Sequence, residues 1–207
     1  MFCNNNYIYK SLVIKLMNRR TSLKSALGIG LVGISSFSAY KWYSLDQKVD
    51  VKSILSYKAL IAELAETIIP QTDSPGAKAA GVEVYILNVI SNCTRNREQN
   101  KFLNGLRDLE EYTTDKYDKT FFNCDKKEKI QILEHFEQKD TYSFAILNKI
   151  NNKFLGQSFF SKLKSLTVEG YCLSKRGATE GLAYDYIPVN YNACVPIKPN
   201  QKSWATK

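Results

Sequence analysis

Apolar residues through the middle of the chain recur at helical rather than strand spacing. Ile54, Ile61, Leu64, Ala65 and Ile68 predict a helix from Ile54 to Ile69, and Pro70 ends it. Turn formers then crowd Gln71 to Lys78 and predict a loop. A second helix is predicted over Val82 to Ser91. A third is predicted over Arg97 to Tyr117, with Phe102, Leu106 and Leu109 on one stripe and charge on the other. Asp125 is placed to cap a fourth, with Ile130, Leu133 and Phe136 inward. A fifth begins near Thr141, and a sixth contains Phe159, Phe160, Leu163, Leu166 and Tyr171. From Gly177 onward, Pro188, Pro196 and Pro199 oppose a long helix, while Tyr184, Tyr186, Tyr191 and Trp204 make the tail aromatic. The pattern describes a mainly α domain over residues 54–207, with five to six helices and an irregular C-terminal tail. Tyr184, Tyr186 and Trp204 are expected to pack against the helical body or a partner.

The beginning of the chain follows a different pattern. Asn18-Arg19-Arg20-Thr21-Ser22-Leu23-Lys24 precedes a mostly apolar run from Ser25 to Ala39. Arg19, Arg20, Leu23 and Lys24 read as a twin-arginine export signal over residues 17–39, with Ser22 where a Phe is common. The run is short for a bilayer span, which needs about 20 apolar residues. Ser36 to Ala39 suits cleavage, and an uncleaved signal would leave a membrane anchor instead. Met17 directly precedes the motif and is a candidate start, with residues 1–16 then an extension. Residues 40–53 read as a polar linker. Gly28, Gly30 and Gly33 match G-x-G-x-x-G, but a basic stretch precedes them and no strand–helix alternation follows. Dinucleotide binding is therefore not the reading.

Charge changes little once it is located. The chain carries a net +9, but six of its 29 basic residues and none of its 20 acids fall within residues 1–41. The remainder is close to balanced, which argues against a nucleic-acid partner. Cys3 lies ahead of the signal, leaving Cys93, Cys124, Cys172 and Cys194 in the exported body. In an oxidising compartment their wide spacing permits one or two disulfides rather than a metal cluster. The preferred pair is Cys93 with Cys194, because Cys93 follows a predicted helix and Cys194 lies in a tail that needs fixing. The sole histidine, His135, sits in Leu133-Glu134-His135-Phe136 without a visible catalytic partner and reads as an exposed or half-buried helical residue. Glu63 with Glu66, and Glu110, Glu111, Asp115 and Asp118, read as solvated helix faces. The Asp73-Ser74-Pro75-Gly76 loop reads equally as a tight turn or a binding loop. No residue is singled out as catalytic, cofactor-binding or metal-binding.

Several segments together resemble the small subunit, or subunit 3, of membrane-bound gluconate 2-dehydrogenase. They are Leu64-Ala65-Glu66-Thr67-Ile68-Ile69-Pro70 continuing through Gly76 to Val82, Phe102-Leu103-Asn104-Gly105-Leu106, and Phe159-Phe160 through Leu166-Thr167 to Gly170-Tyr171. Gly177-Ala178-Thr179, Tyr184-Asp185 and Cys194-Val195-Pro196 complete the set, which spans about residues 55–206. The resemblance implies a non-catalytic partner of an FAD-containing large subunit of the glucose-methanol-choline type, often joined by a multihaem cytochrome c. No cofactor belongs to this chain itself; FAD and haem c belong to the partners. It further implies that the chain carries the twin-arginine signal for a flavoprotein that folds before export, engages the twin-arginine translocase, and resides in the periplasm, at the inner membrane through the complex or an uncleaved signal. The high Lys and Asn content, the Gln138–Gly156 region and Cys172 depart from the family and leave the substrate open. A free-standing periplasmic binding module and, less favoured, a hydrolase using His135 are the alternatives.

Overall fold

The computed structural model describes residues 43–44, 46–140, 157–187, 194, 196 and 199–205. The chain divides into two units, residues 1–44 and 45–207. Only Tyr43 and Ser44, both helical, are described in the first. Arg19, Arg20, Leu23 and Lys24, the glycine pattern of residues 28–33, and the helix expected from Thr141 therefore lie outside the described residues. No described helix is long and apolar enough to cross a membrane.

Among the described residues of the second unit are six α-helices: α1 Val51–Leu55, α2 Lys58–Ile68, α3 Val82–Cys93, α4 Asn96–Tyr117, α5 Lys126–Asp140 and α6 Phe159–Leu173. A 3-10 turn at Phe121–Asn123 precedes α5, and a π-turn at Gly177–Gly181 follows α6. The described residues contain no strand, so the mainly α expectation holds. The helix expected over Ile54–Ile69 is two helices. Ser56 donates its hydroxyl to the Ser53 carbonyl at 2.9 Å, a local bond that competes with helix continuation, and the chain turns before α2. Helix α1 also starts earlier, at Val51, because the Asp50 side chain accepts the Lys52 N–H at 3.1 Å and caps it.

Three of the later helices, α3, α5 and α6, are started or finished by a side chain. The buried Gln99 amide donates to the carbonyls of Ile90, Ser91 and Thr94, serving the end of α3 from inside α4. Asp125 and Glu128 exchange bonds of 2.7 and 2.8 Å, a capping box at the start of α5. Asp140, the last residue of α5, accepts the N–H groups of Phe160 and Ser161 at 2.8 and 3.2 Å and so caps α6 from outside it.

Helix α6 lies at the centre, packed against α2, α3, α4 and α5. Phe159, Phe160, Leu163, Leu166, Thr167 and Tyr171 are buried, and the Thr167 hydroxyl donates to the Leu163 carbonyl at 2.8 Å, so nothing polar is stranded there. Phe159 meets Phe102 of α4 at 5.4 Å and Phe136 of α5 at 6.1 Å between ring centroids. Phe102, Leu106 and Leu109 are buried as the α4 stripe predicts. Burying each such side chain is worth about 1.5–3 kcal/mol. One assignment fails. Ile130 is 40% exposed, and Ile132 joins Leu133 and Phe136 in the core instead. At 100° per residue Ile130 stands about 200° from Ile132, so both cannot face inward.

Candidate partner interface

The turn-rich loop between α2 and α3 is fastened at three points. The Glu66 carboxylate accepts the backbone N–H of Gln71 at 2.8 Å and of Lys78 at 2.9 Å. The Ala77 N–H donates to the Ile69 carbonyl at 2.9 Å. The Tyr171 hydroxyl, reaching from α6, donates to the Pro75 carbonyl at 2.8 Å in a buried position. Gly76 lies directly on the Glu66 carboxylate, and a Cβ there would come within 2.3 Å of an oxygen. Pro75, Gly76 and Ala77 are all buried. Asp73-Ser74-Pro75-Gly76 is thus part of a fastened turn.

Glu63 and Glu66 are not the solvated face expected. Glu63 pairs with Lys78 of the loop and, at 3.4 Å, with Lys129 of α5. The Lys78 hydrogen bond, aided by the Lys129 charge and opposed by burial, holds the Glu63 carboxyl below its usual range. The sequence carried a signal for Glu66 that periodicity missed. A carboxylate in the last turn of a helix opposes the helix dipole, so its presence there calls for local donors. The loop N–H groups are those donors.

Tyr171 also holds the far side. Gly181 of the π-turn sits against its ring, where a Cβ would lie 2.3 Å from the hydroxyl. The Ser174 hydroxyl donates to the Tyr171 carbonyl at 2.8 Å and accepts the Gly177 N–H at 2.9 Å. Arg176 reaches the Ala79 carbonyl at 3.3 Å and pairs with Glu180 at 3.2 Å. Loop, end of α6 and π-turn therefore form one bracket around a single tyrosine.

From this bracket a short ribbon extends. Ala183 and Trp204 form an isolated parallel bridge, with Ala183 donating to Ser203 and accepting from Ala205, both at 2.8 Å. Lys202 donates to the Glu180 carbonyl at 2.6 Å. Tyr184 is 44%, Tyr186 83% and Trp204 55% exposed. None of the three is among the hydrophobics packed against the core. The tail is fixed by this bridge and not by sulfur. Cys93, Cys124, Cys172 and Cys194 are all free thiols, and the Cys93–Cys194 bond is not formed in this structure. Cys93, at the end of α3, is exposed, and burial pushes the Cys124 thiol upward.

Other polar clusters are already engaged. A cleft of about 340 Å³ opens between the end of α2 and the start of α5, lined by Glu63, Glu66, Thr67, Pro70, Gln71, Lys126, Lys129 and Ile130. Its two carboxylates accept bonds from lysines or backbone N–H groups, so neither is free to act as a base. His135 is half-buried and stacks on Tyr112 at 4.2 Å, with Phe136 edge-on at 5.6 Å. Among the described residues, no group of three or more His, Cys, Asp or Glu comes together to hold a metal ion.

Neither the curated proteins nor the solved structures searched gave a match. The sequence pattern of gluconate 2-dehydrogenase subunit 3 does match, over residues 56–189, which takes in α2, the fastened loop, the Tyr171 bracket and Tyr184 to Ile187. With most of the chain covered and the bracket inside the match, the chain belongs to the gluconate 2-dehydrogenase subunit 3 family.

Proposed function

We propose that the chain is a non-catalytic subunit of a periplasmic dehydrogenase complex, escorting an FAD-containing large subunit of the glucose-methanol-choline type through twin-arginine export and remaining bound to it. The observation that carries this reading is the partly exposed aromatic ribbon, which follows a bracket that lies within the family match. Large aromatics left in water at the end of a rigid support are the anatomy of an anchor. The carboxylates of the cleft and the stacked His135 are engaged in packing and pairing, which favours an accessory role over a hydrolase. FAD then belongs to the large subunit, and haem c to a cytochrome subunit that passes electrons towards quinone at the inner membrane.

The test is export. Arg19→Lys combined with Arg20→Lys is expected to hold both this chain and its flavoprotein in the cytoplasm, read by fractionation and by the flavin spectrum of protein co-purified from periplasm. Normal periplasmic dehydrogenase activity in that double variant would overturn the escort role. Absence of any co-purifying flavoprotein from wild-type periplasm would overturn the subunit role.

A further inference from the structure

The ribbon shows aromatic rings on both of its faces. Ala183 and Trp204 are the paired residues of the parallel bridge. Paired residues share a face, and successive side chains along a strand alternate. Trp204 therefore leaves on the Ala183 face, and Tyr184 leaves on the opposite one. Each is still about half exposed, Trp204 at 55% and Tyr184 at 44%. The backbone edges are also open. Among the described residues, the N–H groups of Tyr184 and Trp204 have no acceptor.

Charge indicates what covers such a ribbon. Residues 182–205 carry two cations, Lys198 and Lys202, and one anion, Asp185, a net charge of one. Lys202 is already held by the Glu180 carbonyl. An anionic lipid surface or a nucleic acid selects free cations. A near-neutral ribbon with two aromatic faces suits an apolar protein surface. A flat surface would bury one face and leave the other ring in water.

We infer that the ribbon is inserted into a two-walled apolar cleft of the large dehydrogenase subunit, with one wall against Trp204, the other against Tyr184, and polar groups in the cleft meeting the open backbone edges. This rests on the reading of the chain as a dehydrogenase subunit. A cleft of this kind takes the ribbon as it takes an added strand, with backbone bonds for affinity and side-chain pockets on both sides for selectivity.

Hydroxyl-radical footprinting with mass detection tests it on the full chain, alone and in the purified complex. Oxidation of both Tyr184 and Trp204 is expected to fall severalfold in the complex. Protection of only one of them would overturn the cleft in favour of a flat surface. Protection of neither in an intact complex would remove the ribbon from the interface altogether. Equal protection of both by anionic vesicles alone would replace the protein cleft with a lipid surface. Failure to isolate any flavoprotein complex is a separate result that defeats the underlying subunit reading. As a second measurement, Tyr184→Ala and Trp204→Ala are each expected to weaken association at least tenfold, and one silent variant would overturn insertion.

Discussion

Two irregular segments of this chain share an abundance of turn formers, differ in aromatic content, and meet opposite fates. The loop of residues 70–81 and the ribbon of residues 183–205 are both rich in turn formers and short of helical periodicity. The loop is drawn into the body: Glu66 fastens its backbone, Tyr171 bonds its buried Pro75 carbonyl, and Gly76 lets the chain close on the carboxylate. Among the described residues, the ribbon is joined through two backbone bonds of Ala183 and one bond from Lys202, and Tyr184, Tyr186 and Trp204 are half to largely exposed. Irregular backbone is rigid where side chains from regular elements satisfy it, and becomes a surface where they do not. Tyr171 touches the loop at Pro75 and the π-turn at Gly181, just ahead of the ribbon, so it links the order of the loop to the base from which the ribbon leaves.

The strongest way to break the contrast is to remove that tyrosine. Tyr171→Ala deletes a buried aromatic and strands the Pro75 carbonyl, and should cost about 3–5 kcal/mol in urea unfolding of the chain. Tyr171→Phe keeps the ring under Gly181 and loses only the bond to the loop, so its cost should be near 1–3 kcal/mol. Equal costs for the two variants would show that the ring does not support the π-turn.

The helices were legible in the sequence because their apolar stripes repeat at helical spacing, and the α4 stripe of Phe102, Leu106 and Leu109 is buried as read. The errors have local causes. Ser56 offers its own backbone bond and splits one predicted helix, and Ile130 and Ile132 compete for a single inward position. The aromatic tail was legible as a segment needing cover, because Tyr and Trp in number are costly in water. The bracket was not legible. Tyr171 and Pro75 are 96 positions apart, and a hydroxyl-to-carbonyl bond leaves no periodic trace. Glu66 was misread because spacing reports which face a residue occupies, not which donors fold back onto it.

Glu66→Gln is the next step down. The amide keeps one acceptor for the loop, turns its NH₂ towards another N–H, and removes the charge assistance. A cost of about 1–3 kcal/mol is expected, with faster hydrogen exchange at Gln71 and Lys78 and little change in α4. Uniform acceleration across all helices would mean that Glu66 supports the whole fold rather than the loop.

Acidity gives a smaller, signed effect through Glu63. Its folded carboxyl is held below the ordinary 4.5, first by the Lys78 hydrogen bond and then by the Lys129 charge against burial. The stability it contributes is fully present above the unfolded value and is lost as pH falls through the lowered folded one. Unfolding free energy should therefore decline below about pH 4.5, and Glu63→Gln should make that decline shallower while leaving the region from pH 6 to 8 flat. An unchanged acid limb in the variant would show that the Glu63 pairs are screened by solvent and hold nothing.

The smallest effect on stability should come from the ribbon, and its smallness is informative. Tyr184 and Trp204 are half exposed and belong to no core contact, so replacing either by Ala should change the unfolding free energy of the isolated chain by less than about 0.5 kcal/mol. Their effect should fall instead on assembly, where truncating an aromatic anchor costs roughly 2 kcal/mol or more. Denaturant unfolding of the chain and co-purification with the flavoprotein, measured on the same two variants, separate these quantities. Turnover per bound FAD in the complexes that still form should be unchanged, because no ribbon residue is assigned to the chemistry. A variant that unfolds as readily as Tyr171→Ala would place the ribbon with the loop, as built-in structure, and would remove the distinction between them. A variant normal in both stability and assembly would leave the exposed rings with no role in holding a partner.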